Sequence, residues 1–410
     1  MSAITDLKRD AEKRGFITAP GFIDLHAHLR EPGFEESETI ADGARAALRG
    51  GFTTVCCMPN TEPSLDNAGL LEEVRERGAA AKSARILPIA SITRGRKGEV
   101  LSDLVELARA GAVAFSDDGA PLQDARLMRF ALEYARATGR VVSDHAQDAV
   151  LASAGVMHEG SVSADLGLPG ISAAAEETAV ARDLLLAGLT RGRLHLTHVT
   201  TAGSVELIRA AKARGISVTC DVTPHHLAMT DTWVAGDRTL AFDRPSDLAD
   251  AQADSNAHRA SPFDSATKVN PPLRPRGDVD ALWAGLRDGT IDAIATDHAP
   301  HASVYKDVVY DQAAFGISGL ETALPLLLAA VEAGWLELPT LVERLTLGPA
   351  RCFGLDAPDL GRDIVLIDPH AEWRVTADAL ASRGKNTPLL GRLIRGRVVV
   401  AFVDGEQRLG

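Results

Sequence analysis

The sequence predicts an α/β protein, a (β/α)8 barrel carrying a small β domain. Three observations point there. Short apolar, β-branched runs alternate with alanine- and leucine-rich runs of helical period from about residue 21 to about residue 350; no Gly-x-Gly-x-x-Gly loop follows the first apolar run; and the texture changes beyond residue 350. Strands are predicted over 21–29, 52–58, 86–92, 112–116, 141–145, 194–199, 217–222 and 291–296, each short and bounded by polar or glycine-containing segments. Helices predicted over 40–49, 101–110, 127–138, 176–187 and 204–214 lie between them. Eight strands joined by such crossovers suit a closed parallel barrel, whereas an open dinucleotide-binding sheet would need the missing phosphate loop.

Asp363-Ile364-Val365-Leu366-Ile367 and Arg397-Val398-Val399-Val400-Ala401-Phe402-Val403 read as strands of a small antiparallel unit. The barrel is therefore expected over 20–350, and residues 1–19 together with 351–410 as a composite β domain. Residues 232–265, rich in Asp, Ala, Ser and Pro with weak periodicity, are expected to form a long loop after the seventh strand.

With 410 residues and 45% hydrophobic composition, the chain can bury one large core and a small satellite. Lys and Arg number 43 against 56 Asp and Glu, a formal charge of −13. That balance argues against nucleic acid or an anionic membrane as the main partner, and an anionic substrate would need a locally placed cation. Met1 to Asp10 lacks the continuous apolar segment of a signal peptide and no later stretch reads as a membrane span, so a cytoplasmic location is expected. The four cysteines, Cys56, Cys57, Cys220 and Cys352, form no CxxC pair, which suggests neither a disulfide framework nor a structural zinc cluster.

The segment Gly21-Phe22-Ile23-Asp24-Leu25-His26-Ala27-His28-Leu29-Arg30 is the most informative of the chain. Residues i and i+2 of an extended strand share a face, so His26 and His28 can present both imidazoles to one divalent metal. In a parallel barrel the strand ends converge on one mouth. The fourth strand ends in Ser116-Asp117-Asp118-Gly119, the fifth in Ser143-Asp144-His145, the sixth in His195-Leu196-Thr197-His198, and the eighth in Thr296-Asp297-His298, with His301 beyond. Those donors exceed the three of a single catalytic zinc, so two metals bridged by a carboxylate are plausible. Asp117 and Asp118 face opposite sides if extended; one of them serves, and alternation leaves open which. The fourth strand has no lysine, which removes a lysine carbamate as the bridge there. His198, nearer the strand end, is the better ligand and His195 a packing residue. Asp297 can both bind metal and move protons, while His298 turns away. His225 and His226 end the seventh strand, but the site is filled without them. His158, His258 and His370 lie in polar segments expected to be exposed.

Taken in order, PGFIDLHAHLREPG, the MPNT of Met58 to Thr61, FSDDG, the SDH of Ser143 to His145, LTHV, DVTPHHL, VNPPLR and IATDHAPH follow the sequence of motifs in dihydroorotases of the amidohydrolase superfamily. The chain resembles the bacterial class I type across the whole barrel and on to Asn386-Thr387-Pro388. Single pieces are weak; eight in order are specific. The resemblance implies one or two zinc ions bound by His26, His28, Asp118, His145, His198 and Asp297, with Asp118 as the bridge when there are two. It implies substrate contacts from His28, Arg30, Asn60, Asn270 and His301, with the backbone around Phe315 and Gly316 over the ring, and Asp297 as catalytic acid and base. The implied reaction is the reversible hydrolysis of L-dihydroorotate to N-carbamoyl-L-aspartate in pyrimidine (UMP) synthesis. Implied partners are that small molecule, a second copy of the chain in a homodimer, and aspartate carbamoyltransferase.

Three departures accompany the resemblance. Fewer residues precede the first strand than is usual, which fits either a misassigned start or a small domain reduced at its N-terminal side; the 232–265 loop is longer; and Gly348-Pro349-Ala350 stands where Asn-Pro-Ala is usual. Two rival readings have different signatures. An allantoinase or hydantoinase would share the metals but have no need of Arg30, whose planar fork suits a substrate carboxylate. An inactive scaffold for aspartate carbamoyltransferase would have lost ligands, and every expected ligand is present.

Overall fold

The computed structural model describes Arg9, residues 11–243 and residues 260–410. Outside the barrel, β1 spans Ile17–Pro20; the wall follows with β2 (Phe22–Ala27), β3 (Phe52–Cys57), β4 (Arg85–Pro88), β5 (Ala114–Phe115) and β6 (Val141–Asp144). A short parallel pair, β7 (Met157–His158) and β8 (Gly170–Ile171), precedes β9 (Leu194–Leu196), β10 (Val218–Val222) and β11 (Ala293–Ile294). The wall consists of two hydrogen-bonded arcs, β2-β3-β4 and β5-β6-β9-β10-β11. Single parallel bridges close the seams, Ala90 to Phe115 on one side and Ala27 to His298 on the other. At the second seam His28 N donates to His298 O at 2.7 Å, so the wall closes where the predicted histidines stand. Each predicted barrel strand is present, but the ladder stops early: the run 86–92 leaves it at Pro88 and 112–116 keeps Ala114–Phe115.

The crossover helices follow from capping and periodicity. In Ile40–Gly50, the residues Ile40, Ala44, Ala47 and Leu48 are buried on one face, Thr39 Oγ1 accepts from Asp42 N at 3.1 Å, and Gly51 ends the helix at φ 90°. Asp124, Asp148, Ser172 and Thr201 cap later helices in the same way. Ala68–Ala80, Arg276–Asp288 and Leu320–Glu332 complete the outer ring.

After the barrel come β12 (Ile364–Arg374), β13 (Leu393–Val403) and β14 (Glu406–Leu409), in an antiparallel sheet of order β1-β12-β13-β14. Ile17 lies opposite Ile367 and Pro20 opposite Ile364, so the N-terminal strand completes a sheet made otherwise by the C-terminal segment. Ile394, Gly396 and Val398 of β13 are buried while Leu393, Arg395 and Arg397 are exposed. Val365, Ile367 and Val398 pack into the same apolar cluster as the barrel helices.

One expectation needs correction. His158 is not exposed: it sits on β7 at 8% exposure, and its Nδ1 accepts from Arg274 Nη1 at 3.1 Å. Its flanking residues are polar, but a buried arginine from a distant segment covers it. His370 is exposed as expected, and His258 lies outside the described residues. The described ends of the expected 232–265 loop are packed, because an aromatic residue anchors them. Trp233 is fully buried in the turn Asp231–Ala235, its Nε1 donating to Thr239 O at 2.8 Å; Arg238 stacks over its ring at 5.0 Å and pairs with Asp264 at 2.7 Å. Residues 1–8, 10 and 244–259 lie outside the described residues. Among those described, no helix is long and apolar enough to cross a membrane.

Arg274 itself pairs with the buried Glu176 at 3.3 Å, and Glu176 also accepts from Thr200 N at 2.8 Å. Glu176→Ala would leave the guanidinium buried without its carboxylate, which should destabilise the fold by about 3–5 kcal/mol. Denaturant titration of the variant checks this; an unchanged midpoint would show the pair to be incidental.

Candidate metal centre

Six side chains from five strand ends meet at the mouth. His26 lies within β2 and His28 just past it, Asp118 follows β5, His145 follows β6, His198 follows β9, and Asp297 follows β11. All six are buried. His26 Nε2 stands 3.2 Å from His28 Nε2, 3.4 Å from Asp118 Oδ2 and 3.3 Å from Asp297 Oδ1. From His28 Nε2 the same two carboxylate oxygens lie at 3.4 and 3.1 Å. The other oxygen, Asp118 Oδ1, is 3.4 Å from His145 Nδ1 and 3.5 Å from His198 Nε2. Asp118 thus contributes one oxygen to each of two donor groups.

These separations fit metal ions better than hydrogen bonds. Zinc bonds of about 2.0–2.1 Å set tetrahedral ligand edges of about 3.3 Å. Ring tautomers point the same way. His26 Nδ1–H donates to Thr197 Oγ1 at 2.7 Å, and that hydroxyl donates on to Asp221 Oδ2 at 3.2 Å. His28 Nδ1–H donates to Asn60 Oδ1 at 2.8 Å. With both rings neutral, the two Nε2 atoms turn lone pairs toward each other and toward two carboxylates, an arrangement that a bound cation reconciles. Asp118 Oδ1 is buried with no hydrogen bond. Electrostatics register the same demand. Burial opposes an imidazolium at His26, yet Asp118 and Asp297 raise its pKa to about 10. Burial would raise Asp118, but His26, His145 and His198 hold it well below the usual carboxylate range. His28 and His145 are pushed down by burial, which keeps them neutral and able to bind metal.

The alternative that strand alternation left open finds a structural answer, and the residues expected to face away have partners elsewhere. Asp117 accepts from Thr93 N at 3.1 Å and from the Thr93 hydroxyl, facing away from the mouth, and burial raises it to about 6. His195 bonds Thr219 and Asp221, each at 2.8 Å, and packs edge-on against Phe353. His298 accepts from Gly319 N at 3.1 Å and faces Glu38. His226 is held by Thr223 Oγ1 and Pro271 O; His225, buried and pushed down to about 4, belongs to neither donor group.

Around this centre stand the residues expected at the substrate. Arg30 does not continue the strand: β2 ends at Ala27, and Arg30 takes a left-handed φ of 62°. Its guanidinium still reaches the rim, Nε donating to Pro300 O at 3.1 Å, with Nη2 at 3.2 Å from His301 Nε2. That His301 nitrogen lies 2.8 Å from Phe315 O and must donate there, so it cannot accept from Arg30, whose Nη2 proton is left for a ligand. Burial and Arg30 push His301 down to about 3, and burial lowers Arg30 to about 10, so one is neutral and the other cationic at neutral pH. Asn270 exchanges two amide hydrogen bonds with Gln147, at 2.9 and 3.0 Å. At Gly316, with φ 141°, a Cβ would stand 2.6 Å from Ala299 O, so only glycine fits.

Several residues that position this set were not foreseen. Asp24 receives Thr296 N at 2.8 Å and Thr296 Oγ1 at 2.6 Å, and Asp221 receives His198 N at 2.7 Å. Each is a lone aspartate inside an apolar strand, a signal the sequence did carry. Gln147 and Arg96, whose Nη2 donates to Asp118 O at 2.6 Å, had no such mark.

Known proteins share the chain from end to end. A dihydroorotase of Anaeromyxobacter sp. (strain K) is 50% identical over 402 residues, covering 97% of this chain and 87% of the relative. The chain belongs to the dihydroorotase family. A dihydroorotase of Pelotomaculum thermopropionicum is 49% identical over 397 residues, covering 96% and 87%, and the family profile described as dihydro-orotase-like matches residues 15–204. Among solved structures, L-hydantoinase (dihydropyrimidinase) from Arthrobacter aurescens superposes with a TM-score of 0.77 at 24% identity, covering 97% of this chain and 86% of that one, a likeness of fold. Family and fold are those of metal-dependent cyclic-amide hydrolases, and the two His/Asp groups can hold the metal.

His145→Ala and His198→Ala should each lower bound metal and remove most activity, whereas His225→Ala should retain its metal; elemental analysis of the purified variants checks all three. Full metal in the first two would break the assignment of the second donor group. Because imidazoles and carboxylates must be deprotonated to bind, metal should leave the wild-type protein as pH falls.

Proposed function

We propose that the chain is a zinc enzyme, with one or two ions and Asp118 bridging when there are two, that opens the cyclic amide of L-dihydroorotate to N-carbamoyl-L-aspartate and closes it again. The observation that carries this reading is a cationic fork, Arg30, at the rim of a cage of imidazoles and carboxylates. Nitrogen and oxygen donors at tetrahedral spacing favour zinc. Zinc held there would supply Lewis acidity and make water acidic near neutral pH.

The chain's own residues do the rest. Arg30 binds the substrate carboxylate, a charge-assisted contact that fixes the ring against the cage. Asp297 is the more exposed cage carboxylate, 9% of its side chain against 4% for Asp118, so it can reach the reacting atoms. In hydrolysis the carbonyl carbon gains an oxygen from water and loses the ring nitrogen; Asp297 takes the water proton and returns it to that nitrogen. Asn60 orients His28, and His301 and Gly316 line the approach.

Of the rival readings, a silent scaffold is disfavoured because all six donors converge. A hydantoinase-like specificity is disfavoured by Arg30, since simple hydantoins carry no carboxylate for it to bind. The charge of −13 supports a small-molecule partner over nucleic acid. A cytoplasmic location and assembly as a homodimer or with aspartate carbamoyltransferase are further parts of the proposal, open to fractionation and sizing.

Asp297→Asn keeps size and some ligating ability but cannot accept the proton, so turnover should fall roughly 10²- to 10⁴-fold. Steady-state kinetics on the zinc-loaded variant tests this, and a turnover within a few-fold of the parent would reduce Asp297 to a ligand. Arg30→Met should cost about 2–5 kcal/mol in kcat/KM for dihydroorotate while leaving any activity on uncharged cyclic amides nearly unchanged. Equal losses on both substrate types would mean that Arg30 supports the fold or the cage instead.

A further inference from the structure

Lys306 is a buried lysine that the chemistry above does not use. It ends the short helix Ser303–Lys306, in the segment that follows His301. Its surroundings are exposed, with Val304 at 67% and Val309 at 61%, yet Lys306 itself is only 7% exposed. Among the described residues no carboxylate pairs with it. Its Nζ instead donates to three backbone carbonyls, Ala314 O at 2.7 Å, Gly316 O at 3.1 Å and Lys268 O at 3.5 Å. Burying an ammonium is costly, and a lysine in an exposed segment has water within easy reach. Its inward course therefore marks a constraint on the carbonyls it holds.

Two of those carbonyls, Ala314 O and Gly316 O, flank Phe315. We propose that Lys306 is a positioning residue, an internal clasp that holds the backbone on both sides of Phe315 so that the Phe315–Gly316 peptide meets the substrate in one fixed geometry. The proposal rests on the reading of Phe315 and Gly316 as substrate-facing. Other contacts converge on the same peptide. Gly316 N donates to Lys268 O at 2.9 Å, Asn386 Nδ2 donates to Gly316 O at 2.9 Å, and Lys268 Nζ stands 4.5 Å over the Phe315 ring while donating to Asp311 O at 2.9 Å. Phe315 O in turn receives His301 Nε2, the nitrogen 3.2 Å from Arg30. The clasp thus extends by contact from Lys306 to the cation proposed to bind the substrate carboxylate. It touches none of the six cage donors, so its loss should loosen binding without emptying the centre.

Lys306→Met keeps the aliphatic stem and removes every donor. Two measurements on the full-length, zinc-loaded protein decide the matter. Amide hydrogen exchange at Gly316 should quicken by about tenfold or more, a readout that needs no substrate. KM for dihydroorotate should rise by about tenfold, with kcat within about threefold of the parent and zinc content unchanged, because preorganisation is lost and the reacting groups are not. Should the Met variant fail to fold, Lys306→Gln, whose neutral amide can still donate to two carbonyls, carries the same test with intermediate effects expected. Unchanged exchange at Gly316 overturns the clasp. Faster exchange with KM within about twofold overturns its role toward substrate. A parent protein inactive on dihydroorotate would overturn the proposed substrate, while the exchange measurement would still decide the clasp.

Discussion

Everything at the mouth of this barrel depends on one shared carboxylate. Asp118 is buried, offers each oxygen to a different group of imidazoles, and forms no hydrogen bond through Oδ1. Two carboxylates and four imidazoles turned toward one another call for positive charge between them. A polar group buried without a partner costs several kcal/mol in an apolar setting, so this donor set is one that a bound cation would complete. The raised basicity of His26 is the same demand seen in a proton.

Meeting that demand falls to residues one layer out. Thr197, Asp221 and Asn60 fix ring tautomers, Thr93 draws Asp117 away, and Arg96 ties down the backbone of Asp118. Wall closure and ligand placement are also one event. The seam between β2 and the segment after β11 is made by Ala27, His28 and His298, neighbours of the donors themselves. A shift of one residue there would unmake the cage and the barrel together, so correct closure and correct chemistry enforce each other.

Much of this was legible in the sequence because it follows from local rules. Apolar runs located all eight strands, and the strand-end convention collected His26, His28, His145, His198 and Asp297. Alternation says nothing past the end of a strand: Arg30 reaches the mouth through a left-handed turn, and Asp118 was separated from Asp117 by a threonine from another loop. His158 misled because local polarity says nothing of a distant Arg274. Lys306, Gln147 and Arg96 were silent for the same reason, since each matters through a partner far away in the chain. Trp233 could have been heeded, as a tryptophan in a supposed loop seldom stays in water.

Three residues at the mouth, Arg30, His198 and Asp297, share a left-handed backbone, with φ of 62°, 39° and 46°. For a residue with a side chain that conformation costs on the order of 1 kcal/mol or more, and glycine would relieve it. None of the three can become glycine without losing the side chain that stands at the mouth. A route by which proteins gain robustness is therefore closed at these three places. Resilience to heat or to mutational drift has to come from the outer helices and the small sheet, which makes the periphery of this molecule the reserve on which its centre draws.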